Sequence, residues 1–247
     1  LGKHRADIVQ QKFVMCGAGS AGAGIVSFLH QALVANGLSA DEAYKRFYII
    51  DVNGLITAER DLDGPGSEPL KPFARARDDM PEGAKLIDVI NAVKPTALLG
   101  VSTVKGLFTA DVLEAMAAYN ERPIIMPLSN PTSRAECTSD EVARATGGRA
   151  IFSSGSPFPD VEIDGKVLKA NQGNNFYVFP GLGLGAVLSG SSVISDGMLQ
   201  AAAKAIPAML TPAQVEEGVI FPRIDRIRDI SAYVAIKVMQ TAAKEGR

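Results

Sequence analysis

The sequence predicts an α/β chain: a doubly wound, mostly parallel sheet with a C-terminal helical extension. Three observations carry the prediction. Between residue 12 and about residue 155, short apolar runs alternate with segments whose apolar positions recur at helical spacing. The runs themselves are nearly continuous, as in "TALLGVS" (residues 96 to 102), which is the pattern of strands covered on both faces. From about residue 171 the texture changes, and Ala-rich helical patterns follow "NQGNNFYVFPGLGLGAVLSG". The expected division is therefore an α/β domain over residues 1–172 and a helical extension over residues 173–247.

Each element has its own signal. "KFVMC" (residues 12 to 16) reads as a buried strand, and residues 20 to 36 place Ile25, Phe28, Leu29 and Leu33 on one helical face. Gly37 is placed to end that helix and Ser39 to cap a short next one. "FYIID" (residues 47 to 51) reads as a second strand, which completes a βαβ unit. Residues 57 to 82 are rich in Pro, Gly and charge without periodicity, and are expected to form a surface excursion. Helical spacing returns at residues 84 to 93, ahead of the strand "TALLGVS". "TADVLEAMAAYN", with Thr109 as a plausible N-cap, leads to the strand "PIIMPLS", and "TSDEVARAT" leads to "RAIFSSG". In the tail, helices are expected over residues 197 to 210 and 230 to 244.

Composition narrows the function. With 47% hydrophobic and 21% charged residues the chain is ordinary for a globular protein, and no apolar run approaches the roughly 20 residues of a membrane helix. The formal net charge of −2 comes without runs of like charge, so neither nucleic acid nor a membrane surface is the expected partner. Small molecules are. The two cysteines, Cys16 and Cys137, form no CxxC or Cys/His cluster, so neither a disulfide framework nor a zinc site is predicted. "LGKHRADIVQQ" has no apolar segment of a secretory signal, and a cytoplasmic location is the expectation.

The chemistry concentrates at strand ends. Gly17, Gly19 and Gly22 form GxGxxG between a strand and a helix, the context of the Rossmann-like dinucleotide fingerprint. The first glycine allows a tight turn, the second close approach of backbone to a pyrophosphate, and the third close packing of helix on strand. Ala18, Ser20 and Ala21 complete the turn, and the amides from Ser20 onward lie at the positive helix end. A tight βα turn without any ligand would use the same glycines. Asp51 ends the second strand where a carboxylate can accept both hydroxyls of an adenosine ribose, followed by Val52; the alternative is an Asp that closes the turn "DVNG". A carboxylate there disfavours a 2′-phosphate, so NAD is expected over NADP; Arg60, Lys71, Arg75 and Arg77 follow closely enough to neutralise one, but read first as ordinary solvated surface charges.

Gly100, Val101 and Ser102 end the "TALLGVS" strand, either beside the cofactor or as a plain strand exit. Asn130 precedes Pro131 at the end of the fourth strand, and Asn171, Gln172, Asn174 and Asn175 gather in "NQGNN". Their amides offer donors and acceptors to a ribose, a carboxamide or a hydroxy-acid carboxylate, or else serve turn chemistry. His4 and His30 are not at strand ends. No acid/base group, nucleophile elbow, Walker lysine or grouped metal ligands are apparent, so no catalytic residue and no metal ligand is assigned.

The ordered motifs "GAGSAGAGI", "IIDVNGLI", "KPTALLGVS", "ERPIIMPLSNPTSRAECT", "GRAIFSSGSPF" and "QGNNFYVFPGLGLG" resemble the NAD(P)-binding portion of malic enzymes nearly end to end. That family oxidises malate and decarboxylates it to pyruvate and CO2, using NAD or NADP and a divalent Mg or Mn ion. On the resemblance, Gly17 through Gly22, Asp51, Val52, Val101 and Ser102 contact the cofactor, and Asn130 and Asn174 match asparagines that contact substrate or nicotinamide. Family members carry a segment ahead of the glycine turn that supplies the catalytic tyrosine and lysine, a substrate-binding arginine and the acidic metal ligands. The chain is therefore expected to be the cofactor domain of a longer parent and inactive alone. A malolactic enzyme, whose cofactor region is similar, and a non-catalytic dinucleotide-binding module are the alternatives. Apolar stripes in the tail (Met198, Leu199, Ala202, Ile206, Met209; Ile230, Val234, Ile236, Val238) are expected to stay partly open and to drive a homo-oligomer.

Overall fold

The structure, a computed structural model, describes residues 5 to 64, 67 to 76 and 79 to 247. The chain divides between Gln172 and Gly173 into two compact units. In the first, β1 is Phe13–Cys16, α1 Ser20–Ala35, α2 Ala40–Tyr44, β2 Phe47–Asp51 and β3 Gly54–Leu55. There follow α3 Leu86–Val93, β4 Ala97–Gly100, α4 Ala110–Tyr119, β5 Ile124–Pro127, α5 Ser139–Thr146 and β6 Ile151–Ser154. A hairpin of β7 (Val161–Ile163) and β8 (Lys166–Leu168) precedes β9 (Ala170–Gln172). Local chemistry sets several boundaries. Ser39 and Glu42 close a capping box on α2, and Thr138 and Glu141 do the same on α5.

The seven-stranded sheet runs β3-β2-β1-β4-β5-β6-β9, parallel except for the antiparallel pair β2/β3. Its register levels the strand ends: Cys16 lies opposite both Ile50 and Gly100, and Gly100 opposite Pro127. Both faces are buried. Val14 and Cys16 pack with α3, α4 and α5, whereas Phe13 and Met15 pack with Val26 and Leu33 of α1 and with Phe47 and Ile49 of β2. The alternation along β1 is the period of two that a strand imposes, here with apolar residues on both sides.

The excursion at residues 57 to 82 is not wholly on the surface. A 3-10 turn at Glu68–Phe73 lays Leu70 and Phe73 into the core, where Phe73 meets the ring of Phe47 edge-on at 5.3 Å. Thr57 and Arg75 are also buried and bridge strand-wise. Strand β9 extends the sheet beyond β6 although "ANQ" has only Ala170 as an apolar residue to announce it.

The second unit contains α6 Phe179–Ser189, α7 Asp196–Ala205, α8 Pro212–Glu216 and α9 Ile227–Lys244. The expected helices of the tail correspond to α7 and α9. Met198, Ala202, Ile206, Ile230, Val234 and Val238 are buried in one cluster of this unit, so most of the stripes expected to stay open are covered within the chain. Leu199 and Met209 are half-buried, and Ile236 is exposed. Among the described residues, no helix is long and apolar enough to cross a membrane.

Candidate functional site

After β1 the chain turns to β2 on one side of the sheet, and it later returns to β4 on the other. That reversal opens a crevice beyond Cys16 and Gly100, the place where ligands collect in open α/β sheets. The glycine turn lies there. Gly17 has φ +120°, and its N–H donates to Ile50 O at 2.8 Å while Val101 N–H donates to Cys16 O at 2.8 Å. A Cβ at Gly17 would stand 2.7 Å from Val101 O, and one at Gly22 only 1.9 Å from Gly17 O. Both glycines are thus required by the fold alone.

Gly19 is different. A Cβ there meets nothing within 4 Å, and its extended backbone (φ −77°, ψ −172°) is open to any residue. It is the N-cap of α1, with no side-chain cap and no acidic residue in the first turn. By helix geometry the amides of Ser20, Ala21 and Gly22 lack acceptors in a preceding turn, and they face an exposed, positive helix end. Two glycines serve the turn, and the third leaves a cradle that a side chain would fill. A dinucleotide pyrophosphate fits that cradle.

Asp51 closes β2 on the same edge of the crevice, but it is engaged. Oδ1 accepts Asn53 N–H at 2.7 Å, and Oδ2 accepts Arg60 at 2.6 Å. Each carboxylate oxygen keeps one further lone pair for a ribose hydroxyl. Arg60 also pairs with Glu82, whose other oxygen accepts the Thr57 N–H and hydroxyl, both at 2.8 Å. Burial opposes the Arg60 charge, but the bonds to Asp51 and Glu82 outweigh it and hold its pKa above the ordinary value. Burial likewise opposes ionisation of Glu82, and the donors from Thr57 and Arg60 nevertheless hold it below the usual range. Two carboxylates around one guanidinium leave a single net negative charge, and Val52, 94% exposed, adds none.

The other cations read from the sequence are committed too. Lys71 pairs with Asp63, and Arg75 lies over the Tyr48 ring at 4.4 Å while bonded to Asp79 at 2.5 Å. Arg77 and His4 lie outside the described residues. His30 stacks on Tyr44 at 3.9 Å and donates from Nε2 to Ala40 O at 3.0 Å, tying α1 to α2.

Val101 and Ser102 leave β4 beside the glycine turn, and Asn130 follows β5. The Asn130 Oδ1 accepts the Ser156 hydroxyl, so the amide presents its N–H donors. A Cβ at Gly155 would stand 2.2 Å from Leu128 O and 3.3 Å from Asn130 Nδ2, so that glycine is set chiefly by the β5 backbone exit and lies beside the amide. Beneath these loops lies Glu136, fully buried, which sequence reasoning passed over. Its Oε1 accepts Ser102 N–H and hydroxyl, each at 2.8 Å, and the Ser129 hydroxyl at 2.6 Å. Partners 34 and 7 residues away give no local signal. Asn174 lies in the second unit, where its Oδ1 accepts Phe176 N–H at 2.9 Å and caps a 3-10 turn. Asn171 donates to Phe152 O at 2.9 Å and so braces β9.

Burial pushes the thiols of Cys16 and Cys137 far up, with Glu136 adding to the rise at Cys16 and Glu141 and Glu136 at Cys137; neither is a nucleophile. Among the described residues, no three His, Cys, Asp or Glu side chains gather where they could hold a metal ion. A separate cavity of about 460 Å³ between α4 and α5 is lined by Phe108, Leu113, Glu141 and Arg144, and by none of Gly17 to Gly22, Asp51, Val101, Ser102, Asn130 or Glu136.

Comparison with known proteins gives one family. The family model described as malic enzyme, NAD binding domain, matches residues 2–243. NAD-dependent malic enzyme 2, mitochondrial, of Arabidopsis thaliana is 43% identical over 247 residues, covering 99% of this chain and 40% of its own length. NAD-dependent malic enzyme 3 of Bacillus subtilis is 43% identical over 245 residues, 95% of this chain and 42% of its own length. NADP-dependent malic enzyme 3 of Arabidopsis thaliana is 44% identical over 241 residues, 96% of this chain and 39% of its own length. The chain thus spans about two fifths of these relatives. The cytoplasmic expectation does not stand, because NAD-dependent malic enzyme 2 of Arabidopsis thaliana and further NAD-dependent plant relatives are mitochondrial by name while the bacterial one is not. A charged N-terminal stretch carries no information on compartment.

Proposed function

The chain belongs to the malic enzymes, as their NAD-binding domain, and from that premise we propose that it receives the dinucleotide beyond β1, within an intact protein that oxidises malate and decarboxylates it to pyruvate. One observation supports this placement above the rest: Gly17 and Gly22 are demanded by packing, whereas Gly19 is demanded by nothing in the chain itself. The amides opening α1 bind the pyrophosphate, for which an uncapped positive helix end is suited. Asp51 accepts the adenosine ribose with the lone pairs that Asn53 and Arg60 leave, and Val52 lies open beside it. Val101 and Ser102 border the cofactor, and Ser102 acts only as an acceptor because its hydroxyl proton is given to Glu136. Asn130 donates its N–H groups to a carboxamide or carboxylate oxygen, and Asn174 contacts substrate in the intact protein.

When bound, the nicotinamide ring supplies the hydride acceptor. Decarboxylation further requires a polarised carbonyl and a proton donor, conventionally from a divalent metal and a general acid. On this reading those groups, with Mg or Mn, belong to the intact protein, and its substrate is malate. The single net negative charge at Asp51 favours NAD over NADP.

Product analysis tests the proposal. The intact protein with malate, NAD and Mg or Mn should form pyruvate and NADH in equal amounts, and this chain alone should form no NADH above a buffer blank. Lactate without net NADH would mean malolactic chemistry instead, and turnover by the purified chain would contradict the assignment of chemistry to the intact protein.

A further inference from the structure

Glu136 is a buried carboxylate whose partners are serines rather than cations. Among the described residues it forms no ion pair with a lysine, arginine or histidine, and its charge is balanced by donors: two from Ser102, one from the Ser129 hydroxyl and a longer one, 3.4 Å, from Ser129 N–H. A buried charge is costly unless it is hydrogen-bonded, and three of the four donors converge on Oε1, so these bonds are held firmly. The bonds also propagate. Because both hydroxyl protons go to the carboxylate, the hydroxyl oxygens face the backbone. Ser102 Oγ accepts Val104 N–H at 3.1 Å, and Ser129 Oγ accepts Thr103 N–H at 2.9 Å. Thr103 is held at φ +60°, a left-handed conformation that a threonine adopts only under constraint.

The placement links two sides of the site. A Cβ at Gly100 would stand 2.6 Å from Glu136 Cδ, so the carboxyl lies directly on the end of β4. The backbone of the same segment holds the loop from beyond, through Phe108 N–H to Glu136 O at 3.0 Å and Gly106 N–H to Ala135 O at 3.2 Å. On one side of Ser102 is Val101, whose carbonyl abuts Gly17. Next to Ser129 is Asn130.

We propose that Glu136 is a positioning residue of the cofactor site, fixing the 101–104 loop and the Ser129–Asn130 end of β5 in the arrangement that receives the dinucleotide. It acts through the two serines and touches neither cofactor nor substrate. The inference rests on the placement of the dinucleotide beyond β1, so its test includes a measurement that needs no ligand. Glu136→Gln keeps the shape and an oxygen for the three donors on Oε1, but it removes the negative charge that strengthens those bonds and sets an NH2 group against Ser129 N–H.

In hydrogen exchange of the unliganded chain, the amides of Thr103 and Val104 should exchange at least about tenfold faster in Glu136→Gln, with β1 and α1 unchanged, as expected for loss of charge-assisted bonds. NADH affinity should fall about tenfold, with melting still cooperative. Ser129→Ala should shift both readouts the same way, and combining it with Glu136→Gln should add little, because the two act on one network. If Glu136→Gln does not fold, Ser129→Ala alone carries the same two expectations. Exchange confined to the whole-molecule rate, or NADH affinity equal to wild type in a variant whose loop has loosened, would overturn the proposal. Failure of the wild-type chain to bind NADH would instead overturn the dinucleotide placement, with loop exchange still deciding whether Glu136 fixes the loop.

Discussion

At the scale of single residues, the three glycines of one motif do different work. Gly17 is tied to positive φ and to the Val101 carbonyl, and Gly22 to the carbonyl of Gly17. Gly17→Ala should therefore lower stability by at least about 2 kcal/mol in urea denaturation, since strain and a backbone clash act together. Gly19→Ala should leave the midpoint unchanged. The motif is legible in the sequence, but this division is not, because it depends on what lies opposite each glycine. Arg60 is the second case. Its side chain is 17% exposed and shared by Asp51 and Glu82, so Arg60→Ala leaves two carboxylates facing each other across the lost cation. A loss of about 1–3 kcal/mol at pH 7 is expected, below that of a fully buried pair because solvent reaches the group. The pH dependence has a sign. Glu82 is depressed in the folded chain, so its contribution is complete above the ordinary carboxylate pKa and is lost as pH falls through the lower folded value. Denaturation between about pH 6 and 3 should thus show a shallower acid loss in Arg60→Ala than in wild type, because part of that contribution is already gone. A parallel acid loss would assign the depression to Thr57 alone.

At the scale of elements, the strands and helices with dense apolar patterns are legible, and those specified by small or polar residues are not. Helix α6, "FPGLGLGAVLS", has no helix assigned to it in the sequence, because three glycines weaken its intrinsic propensity. Packing overrides propensity there. A Cβ at Gly181 would stand 2.6 Å from the Val234 Cβ, and one at Gly185 2.7 Å from the Val238 Cβ, so two glycines one turn apart let α6 lie closely on α9. Gly183 meets nothing. Thermal denaturation should therefore separate them: Gly183→Ala stabilises by about 0.5–1 kcal/mol through helix propensity. Gly185→Ala destabilises by about 1–3 kcal/mol through overpacking. Equal effects at the two positions would mean that α6 does not pack on α9. Leu70 and Phe73 escaped notice for a related reason, since isolated apolar residues between prolines show no period, yet a 3-10 turn buries both. In β9 the backbone ladder to β6 and the Asn171 bond do what apolar side chains do elsewhere.

At the scale of the whole molecule, the two units each carry their own core, and the remaining apolar surface lies where the sequence did not place it. The stripes of α7 and α9 are mostly buried, while Phe179, Leu184, Leu188 and Val187, the last 78% exposed, lie open on α6. Exposed apolar residues grouped on one helix are commonly covered by association, and a homo-oligomer is proposed on that basis. Light scattering at high micromolar concentration should show a species larger than 26.0 kDa, reduced to monomer by Val187→Glu with Leu188→Glu; a strictly monomeric wild-type chain would contradict it. The family of the chain was legible in its ordered motifs, but its compartment was not, because composition does not specify an address. Whether the turn at Gly17 to Gly22 is a dinucleotide cradle rather than a turn alone is tested most directly by calorimetric titration of the wild-type chain and Gly19→Val with NADH. Saturable one-to-one binding by the wild type, lost in a Gly19→Val chain of unchanged melting temperature, is the predicted result; equal affinity in the two chains, both folded, would contradict the account.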